Sequence, residues 1–191
     1  MHFENEFDIA ATPLQVLEVF RDPRRVAAFL AGAEVGDPDA EGRYPALLTV
    51  SFGPKRIGFK GSLTHECDSE TMKGWVLGRA SADLRGAKMS VELAYQLSPR
   101  AEGTHVVLLS DAELTGMLAE FARTGGVFVA RALIDDFAIR LGDHFRVAQP
   151  VAHTEGSPPQ PAVEPRRETK SLSFFVLLRR VLKTTFFRRN T

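Results

Sequence analysis

His65 and Cys67 are the pair in this chain whose types and spacing come nearest to chemistry. Two apart on a run that alternates like a strand, they face the same way and could both bind a metal. Two ligands without further partners make a poor zinc site, so the pair is not read as a metal centre. Asp135 and Asp136 are adjacent on a helical pattern and point to different sides, as solvated or paired carboxylates do. His2, His105, His144 and His153 stand in no repeating relation, and there is no Gly-rich phosphate loop, serine elbow or CxxC. Catalysis is therefore the weaker class, and no catalytic residue is assigned. Binding is better supported. Phe59, Trp75, Leu77, Tyr95, Phe121, Phe128 and Phe137 are large apolar residues on strand-like runs or on a long helical stretch. Ligand cavities are walled by such residues with few polar groups, although any one of them serves equally well as core. Tyr95 adds a hydroxyl able to meet a carbonyl oxygen.

A second cluster lies at the C-terminal end. Ser171 to Thr191 carries ten large apolar residues, five Lys or Arg and no acid. On a helical wheel Phe174, Phe175, Leu177, Leu178, Val181, Leu182 and Phe186 fill one broad face. Arg179, Arg180 and Lys183 cluster opposite, Arg188 and Arg189 close the end, and Leu172, Val176 and Phe187 interrupt the polar face. The pattern predicts an in-plane membrane-surface helix, with Phe174, Phe175, Leu178, Arg179, Arg180, Leu182, Lys183, Phe186 and Phe187 as contacts. Each basic residue contributes up to about 1 kcal/mol on an anionic leaflet. Docking of this helix on its own domain or on a partner protein is the alternative.

The net charge of zero conceals a polarity. Residues 164–191 hold eight Lys or Arg against two Glu, leaving residues 1–163 net acidic. Such asymmetry points to a surface partner for the basic end and argues against nucleic acid, which the acidic part would repel. A single cysteine excludes an internal disulfide and fits a reduced, cytosolic setting. No window reaches 18 uninterrupted apolar residues, so no single helix is expected to span a bilayer.

The elements that must position these residues follow in order. His2 to Ala10 alternates as a half-buried strand, with Phe3, Phe7 and Ile9 on one face. Thr12-Pro13 and Asp22-Pro23 each read as a helix N-cap followed by proline at the first helical position, giving two short helices. Strand-like runs follow: Tyr44–Phe52, a run with Ile57, Phe59, Gly61 and Leu63 on one face, and Lys73–Ser81, whose facing is ambiguous. After these come Ala87–Leu97 and a run presenting Val106, Leu108, Ser110, Ala112 and Leu114. Their spacing argues for a continuous antiparallel meander. From Gly116 to about Val147 the period becomes helical, with Leu118, Phe121, Phe128, Leu133, Phe137, Leu141 and Phe145 broadly on one stripe. Such a helix would run about 45 Å. Gly125-Gly126 would then lie inside it, as a kink, a close-packing point or a widened gap to the sheet. Residues 149–170, rich in proline, read as a disordered linker able to reach about 65 Å when extended.

This order, strand, two short helices, antiparallel sheet and long C-terminal helix, resembles the helix-grip or START-like superfamily. Finer motifs resemble the CoxG family, that of the carbon monoxide dehydrogenase G subunit: FENEFDIAATPLQVLEVFRDPRRVAAFLAGAE at 3–34, Gly53-Pro54 followed by Phe59-Lys60-Gly61, the Asp83-Leu84-Arg85-Gly86 turn, and Leu114 to Phe121. The likeness covers about residues 1–147. Ala31 is a departure, since relatives usually have proline there.

The resemblance implies an α+β helix-grip domain over 1–148, its curved antiparallel sheet wrapped around the last helix to leave an apolar cavity. The linker spans 149–170 and the membrane-binding helix 171–191. It implies a non-enzymatic accessory to a molybdenum-containing carbon monoxide dehydrogenase or related hydroxylase, at the cytoplasmic face of the cell membrane. Two roles follow: carrying a respiratory quinone (menaquinone or ubiquinone) between membrane and enzyme, or recruiting the enzyme to inner-leaflet lipids without transport. The expected cavity residues are Phe59, Trp75, Leu77, Tyr95, Phe121, Gly125, Phe128 and Phe137.

Overall fold

The computed structural model describes residues 1–52, 55–84, 86–120 and 125–148. Phe121, the linker and the basic apolar segment at 171–191 lie outside the described residues.

Seven strands form one antiparallel sheet: β1 (His2–Ile9), β2 (Ala33–Val35), β3 (Tyr44–Phe52), β4 (Lys55–Asp68), β5 (Lys73–Ala82), β6 (Lys88–Arg100) and β7 (Gly103–Thr115). Their order is β1-β7-β6-β5-β4-β3-β2, so the meander runs β2 to β7 and β1 closes against its last strand. Helices α1 (Pro13–Phe20) and α2 (Pro23–Ala27) follow β1, and α3 (Gly126–Ala148) ends the described part. This is the expected helix-grip order.

Local chemistry explains the helix starts. Thr12 and Gln15 form a capping box: the Gln15 amide N–H donates to Thr12 Oγ1, and the Thr12 amide N–H donates to Gln15 Oε1 at 2.9 Å. The Asp22 carboxylate accepts the Arg24 amide N–H at 2.9 Å and so caps α2. Beyond α2, Gly32 has φ +78°, and a Cβ there would lie 2.2 Å from the Thr49 carbonyl oxygen. Only glycine fits, so this turn keeps its shape beside the unusual Ala31.

Residues directly opposite in an antiparallel sheet share a face, which fixes what faces α3. The buried residue Phe59 packs in a cluster with Val129 and Leu133 of α3. From Phe59 the register carries the inner face through Leu63, His65 and Cys67 of β4 and Gly74, Val76 and Gly78 of β5. It continues through Val91, Leu93 and Tyr95 of β6, Val106, Leu108 and Ser110 of β7, and Phe3, Asn5 and Phe7 of β1.

Two apolar cores occupy that face. The larger joins α1, the far half of α3 and β1-β7-β6 through Val16, Leu17, Phe20, Tyr95, Leu97, Val106, Phe137, Leu141 and Phe145. The smaller joins β3, β4, the 3-10 turn Gly116–Leu118 and the near half of α3 through Val50, Ile57, Phe59, Ala87 and Leu118.

Two expectations are corrected. A single helix from Gly116 was expected, with Gly125-Gly126 inside it. Instead the stretch opens as a 3-10 turn over Gly116–Leu118 with Ala119 and Glu120 helical, residues 121–124 lie outside the described residues, Gly125 is a turn residue and Gly126 opens α3. Adjacent glycines are poor helix formers, and the helix begins where they end. Phe128 was placed on the sheet-facing stripe, yet it is 75% exposed. Nine residues at about 100° each put it roughly opposite Phe137, which is buried.

A candidate apolar cavity on the inner face of the sheet

Between the two cores the inner face is not filled. Leu63, Val76 and Val91 are half-buried and belong to neither cluster. Gly78 stands among them, and a Cβ built there meets no atom within 4 Å. Leu133 of α3 packs on the smaller core and Ile134 on the larger, so the helix is held on both sides of this gap. Along β6 the smaller core ends at Met89 and the larger begins near Leu93 and Tyr95. Met89 and Tyr95 are about 20 Å apart at strand rise.

One margin of the gap is polar. His65 is the cross-strand partner of Val76, and its Nε2 lies 3.1 Å from the Tyr95 hydroxyl. The two rings are nearly parallel, with centroids 6.1 Å apart. Burial holds His65 below its ordinary value against the opposing pull of Asp22 and Glu66. Burial first, and the neighbouring Cys67 thiol next, push the Tyr95 hydroxyl far above its ordinary value. Near pH 7 both groups are therefore neutral. Tyr95 is fixed by an edge-on contact with Phe20, with centroids 4.9 Å apart, and by Gly74 beneath its ring. A second polar feature lies on β1: Asn5 Oδ1 is buried and has no hydrogen-bond partner among the described residues. In the register Asn5 is one strand beyond Leu108, which itself pairs with Tyr95.

A cleft of about 600 Å³ lies beside the smaller core, between the start of α3 and the β3 edge. It is lined by Ala31, Gly32, Thr49, Val50, Ser51, Arg56, Phe128, Val129, Ala132 and Leu133.

The expected cavity residues fall in different places. Tyr95 and Phe137 come together in the larger core through Phe20, whose ring centroid is 6.2 Å from that of Phe137. Phe59 is core of the smaller cluster, Gly125 is half-buried just before α3, and Phe128 lines the cleft. Trp75 and Leu77 are a correction. They pair with Glu66 and Thr64 on the outer face, while Gly74, Val76 and Gly78 point inwards. In a run of three apolar residues the period of two cannot be read, and cross-strand register decides the face. The residues missed as binding candidates are Asn5, His65 and Cys67. Their signal was present: each is polar or polarisable at an inward phase of its strand. Among the described residues no group of three His, Cys, Asp or Glu is placed to hold a metal ion. None of the described helices is long and apolar enough to cross a membrane.

Over residues 6–142 the chain matches the CoxG family, described as the G subunit of carbon monoxide dehydrogenase. It belongs to that family. Membership suggests an accessory role at carbon monoxide dehydrogenase, and association with that enzyme. A search of the curated proteins finds no match. Among solved structures, a conserved protein from Geobacillus kaustophilus superposes with a TM-score of 0.68 at 17% identity, over 78% of this chain and 97% of that one. A protein from Thermus thermophilus gives 0.60 at 19% identity, over 78% and 100%. An aromatase/cyclase from Streptomyces sp. R1128 gives 0.54 at 15% identity, over 80% and 98%. At such identities these likenesses establish the helix-grip fold and not the chemistry.

Proposed function

We propose that this CoxG family member is a non-enzymatic carrier. Its inner-face gap takes up a lipophilic quinone, menaquinone or ubiquinone, and passes it between the cytoplasmic face of the membrane and a molybdenum-containing carbon monoxide dehydrogenase or related hydroxylase. The observation that supports this reading is the unfilled apolar gap around Gly78, with the neutral His65–Tyr95 pair at one margin. That is the composition of a site for a largely apolar ligand with a few polar atoms. The basic apolar segment at 171–191 is the proposed tether to inner-leaflet lipids, and the proline-rich stretch before it supplies the reach.

The test is organic extraction of purified full-length protein followed by mass spectrometry, with titration of added menaquinone and ubiquinone. Co-purified quinone, or saturable binding on addition, is expected. Repeated absence of both ends the carrier reading.

The same segment also favours a second reading, an adaptor that recruits the dehydrogenase to the membrane and transports nothing. The two differ at Gly78: a bulky side chain there leaves electron flow to the quinone pool intact in an adaptor and abolishes it in a carrier.

A further inference from the structure

We propose that His65 and Tyr95, with Cys67 beside them, form the head-group end of the cavity, donating one hydrogen bond to a ring carbonyl oxygen of the bound ligand. This rests on the carrier reading and deepens it by fixing which end of the ligand lies where.

The number of hydrogens at this margin decides the matter. A neutral imidazole brings one N–H and one lone-pair nitrogen, and a phenol brings one O–H. The contact between His65 Nε2 and the Tyr95 hydroxyl consumes one of the two hydrogens whichever tautomer is present. If the proton sits on Nδ1, the phenol donates to Nε2 and Nδ1–H is left over. If it sits on Nε2, the imidazole donates and the phenol O–H is left over. One donor therefore always remains, and the sulfur of Cys67 is only a weak acceptor for it. Its surroundings are mostly apolar: Val76 pairs with His65, Leu93 and Met72 pack at the edge of the core, and Phe20 covers Tyr95, with Asp22 and Glu66 acting on His65 and Arg21 on Tyr95 as the charged neighbours. A donor with no acceptor among the described residues, on a half-buried imidazole beside a buried phenol, favours a ligand with an acceptor oxygen.

The same geometry orients the ligand. With the oxygen-bearing ring at His65 and Tyr95, an apolar side chain has the inner face between Val76 and Val91 to follow. It then points towards the smaller core at Ala80, Met89 and Leu133. The head group lies at the His65 margin and the chain lies along Val76, Gly78 and Val91.

The experiment uses full-length protein and three probes: a short-chain menaquinone, ubiquinone with a short side chain, and an alkylnaphthalene of matching outline without oxygens. Both quinone rings carry no free position, so the Cys67 thiol cannot add to them. Dissociation constants are measured for wild type, Tyr95→Phe, His65→Leu and the double variant, with circular dichroism to check that each variant folds. In parallel, iodoacetamide labelling of Cys67, the single cysteine, is timed with and without each probe on the wild type, which needs no variant. Each single variant keeps one donor and is expected to bind quinone within about threefold of wild type, whereas the double variant, which has none, should bind roughly three- to tenfold more weakly, with alkylnaphthalene binding unchanged. Quinone is also expected to slow Cys67 labelling. Quinone bound equally well by wild type and the double variant, with labelling unaffected, overturns the head-group assignment and leaves the carrier reading standing. Failure of wild type to bind either quinone overturns both.

Discussion

Gly74→Ala should destabilise this protein, against the usual direction for glycine in a strand. Replacing a strand glycine normally gains about 0.5–1 kcal/mol, because the unfolded chain loses freedom and the folded one loses nothing. Here a Cβ on residue 74 would stand 2.2 Å from both Cζ and the hydroxyl oxygen of Tyr95, and 2.5 Å from Cε1. The ring cannot swing away cheaply, since Phe20 packs edge-on against it and its hydroxyl holds His65. Overpacking of a fixed core ring costs about 1–3 kcal/mol, which exceeds the backbone gain. For a domain of this size the melting temperature should fall by roughly 3–8 °C. The assay is urea and thermal denaturation of four proteins: wild type, Gly74→Ala, Tyr95→Leu and the double variant. Tyr95→Leu alone loses core packing. In the Gly74→Ala background part of that loss returns, giving a coupling of at least about 1 kcal/mol. A Gly74→Ala protein as stable as wild type or more so, or a cycle with no coupling, would refute the placement of Tyr95 over β5.

Further outcomes follow from the same geometry. His65 is held below its ordinary value of 6.5 by burial. The unfolded chain therefore binds more protons than the folded one just below pH 6.5, and stability should fall as pH drops through that window and on through the folded value. The urea midpoint of wild type should show this slope, and His65→Gln should flatten it; parallel curves would count against a buried neutral His65. The helix phase of α3 predicts that Phe128→Ser changes stability by no more than about 0.5 kcal/mol, whereas Phe137→Ala costs about 3–5 kcal/mol. Comparable losses at the two positions would mean the phase is wrong. A chain ending at residue 148 should melt with the full-length protein yet lose flotation with anionic liposomes, and retained flotation would dismiss residues 171–191 as the tether.

The fold was legible because its signals are local and mutually consistent. Thr12-Pro13 and Asp22-Pro23 announce two helices, and clean alternation in β1, β6 and β7 sets their inner faces before any pairing is known. Legibility failed where a local period was absent or overridden. Trp75-Val76-Leu77 is apolar throughout, so only the pairing of β5 with β4 and β6 tells which residues look inwards. Phe128 fits a loose apolar stripe, but the helix starts at Gly126 and its phase is set by Leu133, Phe137 and Leu141 packing on the sheet. The candidate site was partly readable for the opposite reason. Asn5, His65 and Ser110 interrupt inward apolar phases, and a polar residue facing a core calls for a partner. That His65 finds Tyr95, 30 residues on, depends on the register of three strands, which no short stretch encodes.

Gly78 is where stability and the proposed function should be seen to conflict. Its backbone is ordinary strand, it faces inwards, and a side chain there would enter open space. Folding alone would favour a β-branched or larger residue at such a point, because protein interiors are close-packed and an apolar void forfeits contacts. Gly78→Leu should therefore raise stability by about 1–2 kcal/mol, from the stiffer backbone and from apolar area newly covered against Val76 and Val91. The same side chain would stand on the inner face between the His65 margin and the smaller core, where the ligand is proposed to lie. Quinone binding should then be lost while the fold becomes more stable, and the wild-type protein should recover comparable stability only when ligand is present, about 2.7 kcal/mol at a hundred times Kd. Denaturation of both proteins with and without menaquinone reads all of these quantities. A Gly78→Leu protein that is less stable would mean the gap is not open at β5. One that is more stable yet binds quinone undiminished would move the ligand out of the gap.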